Sequence, residues 1–399
     1  MTSRSIGIDA IALAVPEGYL ELAELAEVRG VPAGKYVDGL GVRQMSVAKA
    51  HEDPVALATN AARRVLKLSG VAPSTIGMCI VGTETAVDHS KPIAAWVHRL
   101  CELPQNCRSF ETKHACFGGT AGLMNAIDWI ASGSARGRKA LVICTDIARY
   151  GLASAGEPTQ GAGAVAMIIS ENPRMVAFEV GATGSYTQDV NDFWRPLYSK
   201  EAFVDGKLSV QCYLDAITGA YSSWKSVNQE LNTTHLPVAR RLYHVPYGKM
   251  AKKAHRQVMS IEGKTEAEAD ACYETEVARS LDLPGQVGNI YTGSLYLAFA
   301  SMMNAEADQL EGQRVTFFSY GSGCTAEFFA GTIVPGAAAF TKQLAIDAPL
   351  KTRRKYSFAE YEAIRKADND VDRKPVEAGN WKGGVAFTGV DKDARQYQG

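Results

Sequence analysis

Apolar runs alternating with helical stretches set the plan of the chain. Met78–Val81 is a short apolar run of the kind a buried strand shows. Ahead of it Asp53-Pro54 opens a helix that runs towards Gly70. Asp53 is its N-cap, Pro54 occupies the first turn and Gly70 is the stop. Leu123, Met124, Ile127, Ile130 and Ala131 recur at helical spacing and close at Gly133, and continuous apolar strands follow at Ala140–Cys144 and Ala164–Ile169. Alternating βα units of this kind predict a layered α/β fold.

The second half repeats the plan. Asn289-Ile290-Tyr291-Thr292-Gly293 leads into an apolar helix, Leu295–Asn304, and then the strand Val315–Ser319, much as Cys116-Phe117-Gly118-Gly119 leads through helix and loop to Ala140–Cys144. Leu141 follows Cys116 by 25 residues and Val315 follows Asn289 by 26. A further apolar strand closes each series, Ala164–Ile169 in one and Phe328–Val334 in the other. The matching order of four elements predicts an internal duplication, with halves at residues 1–172 and 173–399. Between them, Tyr186 to Leu236 is aromatic and polar with little clean periodicity, as insertions and helices capping a site would be. The charge-rich C-terminal part carries one helix signal, the capping box Ser357-Phe358-Ala359-Glu360.

Composition narrows the function. With 46% hydrophobic and 21% charged residues over 399 positions, the chain is a packed globular protein and not a disordered one. Its net charge of −1 gives no basic field for nucleic acid or an anionic membrane. No apolar run is long enough for a bilayer span, and Asp9 interrupts the N-terminal run, which reads as a first strand and not a signal peptide. These features predict a cytoplasmic globular enzyme. None of the eight cysteines forms C-x-x-C and no H-E-x-x-H occurs, so no metal is expected and the thiols are expected reduced.

Cys116 stands at the start of an amphipathic helix, where free N–H groups and the helix dipole favour a thiolate; a buried structural thiol is its plainer reading. Glu84 directly follows a buried strand, and the carboxyl ends of α/β strands are where sites gather. A desolvated carboxylate there suits a general base, and a loop acid or cap is the alternative, as it is for Asp88. His244 precedes Lys249, Lys252, Lys253 and Arg256, four cations at i, i+3, i+4 and i+7 that suit a phosphate-bearing ligand or a solvated face. The glycine-rich stretches at 161–163 and 320–323 fit neither a dinucleotide fingerprint nor a P-loop, and Ser322 is in no nucleophile elbow.

Together GTETAVD (82–88), ETKHACFGGTAG (111–122), TDIARYG (145–151), GEPTQGAGAVAM (156–167), DFWRP (192–196), HVPYGKM (244–250), GNIYTGSLY (288–296) and YGSG (320–323) resemble the 3-hydroxy-3-methylglutaryl-CoA synthase family, across most of the chain. The resemblance implies a thiolase-like fold, two duplicated βαβαβ halves in a five-layer α/β/α/β/α arrangement, and a homodimer. It implies that Cys116 takes acetyl from acetyl-CoA, that Glu84 removes a proton from the acetyl methyl, and that His244 polarises and protonates the ketone of acetoacetyl-CoA. Thr159, Ser209, Asn289 and Ser322 would contact the hydroxymethylglutaryl group, with Lys249, Lys253 and Tyr150 near the coenzyme. No cofactor beyond the acyl-CoA substrates is implied. Phe117 stands where relatives often carry tyrosine, and Gly118-Gly119 is expected to make the turn permissive.

Three other readings share parts of this pattern. A β-branching synthase acting on acyl-carrier-protein substrates would keep Cys116, Glu84 and His244. A ketoacyl synthase III or chalcone-type enzyme would show Cys116, His244 and Asn289 but needs no base at Glu84, because decarboxylation supplies its carbanion. A non-catalytic coenzyme-binding subunit would not need all three reactive residues.

Overall fold

The computed structural model describes residues 5–234, 236–368 and 384–399. Ten strands form one mixed sheet: β1 (Ile6–Ala14), β2 (Ile76–Gly82), β3 (Arg108–Thr112), β4 (Lys139–Ile147), β5 (Ala162–Glu171), β6 (Val176–Phe178), β7 (Gly184–Thr187), β8 (Arg240–Tyr243), β9 (Arg314–Gly321) and β10 (Thr325–Ile333). Their order is β8-β9-β10-β6-β1-β5-β4-β2-β3. β6 pairs with Gly331–Ile333 and β7 with Thr325–Phe328, so these two share one strand position.

The duplication read from the sequence is visible in this order. In the first half the strands run third-second-fourth-fifth-first, and the fifth, β5, alone runs against the other four. In the second half they run second-fourth-fifth-first, and again the fifth, β10, is reversed. Among the described residues the second half has no counterpart of β3. The halves join through a short antiparallel pairing in which Gly7 faces Ala177 and Ile8 faces Val176.

Helices cover the strands: α1 (Pro54–Ser69), α2 (Gly118–Ala131), α3 (Gly206–Glu230), α4 (Gly248–Ile261), α5 (Glu266–Glu276) and α6 (Ser294–Leu310). α1 has the expected ends, with Asp53 Oδ1 accepting from the Ala56 N–H at 2.8 Å and Gly70 at φ 70°. Val55, Ala58, Ala61, Ala62 and Val65 are fully buried where α1 meets β1, β4 and β5. Each buried valine there contributes on the order of 1.5–3 kcal/mol. α2 lies on β2 and β4, burying Leu123, Ala126, Ile127 and Ile130. Its Thr120 hydroxyl hydrogen-bonds Tyr296 on α6 and Ser319 on β9, both at 2.7 Å, so the inner helices and sheets of the two halves meet there.

The unpatterned stretch after Tyr186 holds a small hairpin, Phe193–Trp194 with Phe203–Val204, and then the 25-residue α3. The Ser357–Glu360 capping box forms as expected. No helix among the described residues is long and apolar enough to cross a membrane.

Candidate active site

β2, β4, β8 and β9 deliver their carboxyl ends to one region, and the chemistry-bearing residues follow those ends. Glu84 stands two residues beyond β2, Asp146 is the penultimate residue of β4, and His244 comes immediately after β8. Cys116 sits in a turn between β3 and α2, and β9 ends against that turn. A side chain on Gly321 would overlap the His114 carbonyl and the Phe117 amide, so only glycine lets β9 approach the cysteine so closely.

The first half supplies a buried network of charged groups. Cys116 Sγ donates to Glu84 Oε1 at 3.1 Å. Arg195, from the hairpin, holds the other side: one guanidinium nitrogen donates to the Glu84 carbonyl and Nη2 lies 3.4 Å from Glu84 Oε2. Asp146 braces the loop from beneath, its Oδ1 accepting from the Thr83 hydroxyl, the Glu84 N–H and the Thr85 hydroxyl. Its Oδ2 accepts from the Thr292 amide and hydroxyl, at 3.1 and 2.5 Å, which locks the second half onto the first.

Burial and then the neighbouring Asp146 push Glu84 up to about 7, against the opposing pull of Arg195. At neutral pH its carboxyl is therefore poised to gain or lose a proton. Cys116 stays partly accessible, but burial and then the Glu84 charge hold its thiol well above the usual range. This corrects the thiolate expected from the helix N-terminus: the dipole is outweighed, and the resting group is a thiol bonded to Glu84. Around them Tyr150 and Tyr291 form a small apolar cluster with Ala148, against which Cys116, Phe193 and Ala202 pack.

The second half adds His244, whose proton affinity no neighbouring charge perturbs. His244 is 3% exposed, and burial alone pulls it down to about 3, so its imidazole is neutral at physiological pH. Its backbone is fixed by donation to Phe318 and by acceptance from the Tyr213 hydroxyl, and its ring lies 6.5 Å from that of Tyr320.

Comparison with known proteins adds the family. The model described as hydroxymethylglutaryl-coenzyme A synthase N terminal matches residues 2–174, and its C-terminal counterpart matches residues 176–271 and 256–378. The chain belongs to the hydroxymethylglutaryl-CoA synthase family. It is 40% identical over 374 residues to the Enterococcus faecalis hydroxymethylglutaryl-CoA synthase, covering 92% of this chain and 94% of that one. The Bacillus subtilis polyketide-biosynthesis 3-hydroxy-3-methylglutaryl-ACP synthase PksG is 33% identical, over 92% and 89%. In structure, MvaS in complex with 3-hydroxy-3-methylglutaryl coenzyme A superposes with a TM-score of 0.95 at 45% identity, covering 100% and 99% of the two chains. A curacin-pathway HMG synthase in complex with holo donor-ACP gives 0.92 at 32%, over 99% of each. The thiolase-like α/β fold implied by the sequence is therefore the fold of this synthase.

The family-implied positions fall into two groups. Tyr150 packs in the cluster with Cys116. Asn289 Oδ1 accepts from the Tyr291 N–H and the Ser294 hydroxyl, and its backbone presses on Gly161, just beyond the turn that carries Thr159. The Thr159 hydroxyl donates to the Gly156 carbonyl at 2.8 Å. Ser322 follows Gly321 at the cysteine turn. Ser209 is in the first turn of α3, and Lys249 and Lys253 are on α4; none of the three contacts Cys116 or Glu84 among the described residues.

The four-cation stripe is half occupied. Arg256 pairs with Asp270 and Glu266, and Lys252 pairs with Asp270, all across to α5. Among the described residues Lys249 and Lys253 have no acidic partner, which leaves those two free for an anionic ligand. Asp88 is exposed and accepts from the Ser90 and Lys91 amides, so it caps a turn. Gly118-Gly119 is no permissive turn: a side chain on Gly82 would lie 2.5 Å from the Gly119 Cα, and one on Gly119 would meet Cys144 Sγ. These glycines allow α2 to press onto β2 and β4. Among the described residues the nearest approach to a metal-ligand set is His255, Cys272 and Glu276, whose groups bond one another and their neighbours: Tyr243 and Cys272 lie on the His255 nitrogens and the Arg241 cation is 2.6 Å from Glu276.

Two residues of the network carried no role in the sequence reading, Asp146 and Arg195. Asp146 had a signal, an acid inside the apolar run Leu141–Ile147. Arg195 lies in the family-like DFWRP segment, but its contact with Glu84 spans 111 residues of chain and has no local signature.

Proposed function

We propose that this synthase condenses acetyl-CoA with acetoacetyl-CoA and water, giving hydroxymethylglutaryl-CoA and free CoA through an acetyl thioester on Cys116. The observation that carries the reading is the 3.1 Å contact between a cysteine thiol and a carboxyl held near neutral pKa. As the sulfur attacks the acetyl thioester, its proton passes to Glu84 and the departing CoA leaves as a thiol. Glu84, ionised again, removes a methyl proton from acetyl-Cys116, and the resulting carbanion attacks the ketone of acetoacetyl-CoA.

His244 serves as a neutral donor. The family resemblance implied a proton donor there, but a group at about 3 carries no spare proton at pH 7. Its N–H hydrogen-bonds the ketone oxygen as negative charge grows there, and the proton that the alkoxide finally takes balances the one removed from the methyl. Water then cleaves the thioester, restoring the thiol and leaving the product carboxylate.

In this account Tyr150, Thr159, Ser209, Asn289 and Ser322 surround the hydroxymethylglutaryl group, and Lys249 and Lys253 hold the anionic coenzyme. The enzyme is an acyltransferase of isoprenoid biosynthesis, the mevalonate pathway, and works as a cytoplasmic homodimer. The greater identity to the Enterococcus synthase than to PksG, 40% against 33%, supports CoA-borne substrates. The test follows acetoacetyl-CoA enolate absorbance with the purified chain. Loss that requires acetyl-CoA, with release of CoA and hydroxymethylglutaryl-CoA, is the expected result. No loss would overturn the CoA reading in favour of carrier-protein substrates.

A further inference from the structure

We propose that Arg195 is the positioning residue for the Glu84 carboxylate, holding Oε2 so that Oε1 faces the Cys116 sulfur and the acyl group it carries. The inference rests on the function proposed above and assigns a part to a residue outside the Cys–Glu–His set.

The geometry divides the two carboxylate oxygens between two partners. Oε1 receives the thiol at 3.1 Å, while Oε2 faces the guanidinium at 3.4 Å. A second guanidinium nitrogen grips the Glu84 main-chain carbonyl, so Arg195 fixes both ends of the residue. A freely rotating carboxylate would present either oxygen to the thioester, and holding a base in a reactive orientation is worth far more than its presence alone. The planar fork of arginine suits this two-point grip in a way a lysine ammonium does not.

Arg195 is itself held in place. Its guanidinium lies 5.6 Å from the centre of the Tyr291 ring, and its side chain is 17% exposed. The next residue, Pro196, disfavours a helical backbone at Arg195. Trp194 stacks on Phe203 across the hairpin, with ring centres 6.0 Å apart, and the Ala202 N–H donates to the Arg149 carbonyl. The hairpin is thus tied to the chain just past β4, the strand that also carries Asp146.

The electrostatics work in the same direction. The groups facing Glu84 are Asp146 from β4, Cys116 from the turn before α2, Tyr150 and Tyr291 from the surrounding cluster, and Arg195. Arg195 is the one cation among them and opposes both burial and Asp146. Removing it raises the carboxyl further, so a larger share of the enzyme holds Glu84 protonated at pH 7 and unable to accept a proton.

The test uses the full-length protein with Arg195→Met, Arg195→Gln and Arg195→Lys. The pH profile of Cys116 alkylation by iodoacetamide needs no substrate and reads the coupled Cys–Glu pair directly. In Arg195→Met it is expected to move to higher pH by about one unit, the smaller end of the effect of one nearby opposite charge. Acetylation of Cys116 by acetyl-CoA should slow at least tenfold, with less than threefold change in the KM for acetyl-CoA. Arg195→Lys should restore most of the profile but less of the rate, because the charge returns without the fork. Should Arg195→Met fail to fold, Arg195→Gln carries the same two readouts. An alkylation profile and acetylation rate like those of the wild type, in a variant with wild-type circular dichroism, would overturn the assignment. If wild-type protein failed to load acetyl, the proposed function would fall, and the alkylation profile would still decide whether Arg195 governs the pair.

Discussion

The two halves of this synthase present their strand ends to the same region, one group among charged neighbours and the other among none that perturb it. The first half brings Glu84, Cys116 and Asp146 together, with Arg195 reaching in from the hairpin that follows, and the result is a carboxyl at about 7 beside a thiol that stays protonated. The second half brings one histidine that no neighbouring charge perturbs, and burial takes it down to about 3. A duplicated fold has thus produced two different tools from equivalent positions at strand ends. One side exchanges protons near neutrality, and the other keeps a fixed hydrogen-bond donor. The difference lies in the neighbours, since both groups are buried.

Substitutions that remove one tool should break the comparison unequally. Glu84→Gln is expected to lower turnover by roughly 10³- to 10⁴-fold, because it removes the proton acceptor for both sulfur and methyl. His244→Ala should lower turnover by about 10²- to 10³-fold, in the range of losing one donor to a developing oxyanion. Its acetyl-enzyme should still form at close to the wild-type rate, as intact-mass measurement after acetyl-CoA addition would read. Equal loss of loading in both variants would mean that the halves do not divide the work.

The pH profile sharpens the same contrast. Glu84 is raised, so it is protonated and inactive as a base below about 7, and the rate should climb through a single limb near that pH. His244 titrates at about 3 and should add no limb between pH 5 and 9. A second ionisation in that window that disappeared in His244→Ala would contradict the neutral-donor role.

The smallest expected effect concerns α4, proposed to hold the coenzyme. Lys249→Ala should raise the KM for acetyl-CoA about tenfold, the worth of one charge-assisted hydrogen bond. Lys252→Ala should stay within twofold, since its ammonium is already 3.1 Å from Asp270. Similar shifts in both would restore the four-cation face that the sequence pattern implied.

What was legible in the sequence is what depends on near neighbours. The helix from Asp53 to Gly70, the strands around Met78–Val81 and Ala164–Ile169, and the duplication all follow from caps and from periodicity over short windows. Cys116 and Glu84 could be singled out because each stands at the end of an element with its own pattern, and His244 because of the cation stripe that follows it and the family-like HVPYGKM segment. The state of those residues was not legible, because it is set by partners far along the chain. Asp146 bonds Glu84 across 62 residues and Arg195 across 111. The same limit explains the basic stripe: helical spacing aligned four cations on α4, but it carried no sign that Asp270 and Glu266 on α5 would neutralise two of them.

The division of labour is tested most directly by proton exchange at the acetyl methyl. Acetyl-CoA is incubated with enzyme in heavy water without acetoacetyl-CoA, and deuterium in the methyl group is followed by mass spectrometry. Wild type and His244→Ala should both incorporate deuterium, while Glu84→Gln, which loads slowly and is incubated until its acetyl load matches, should not. Exchange that survives in Glu84→Gln, or vanishes in His244→Ala despite full acetylation of Cys116, would contradict the account.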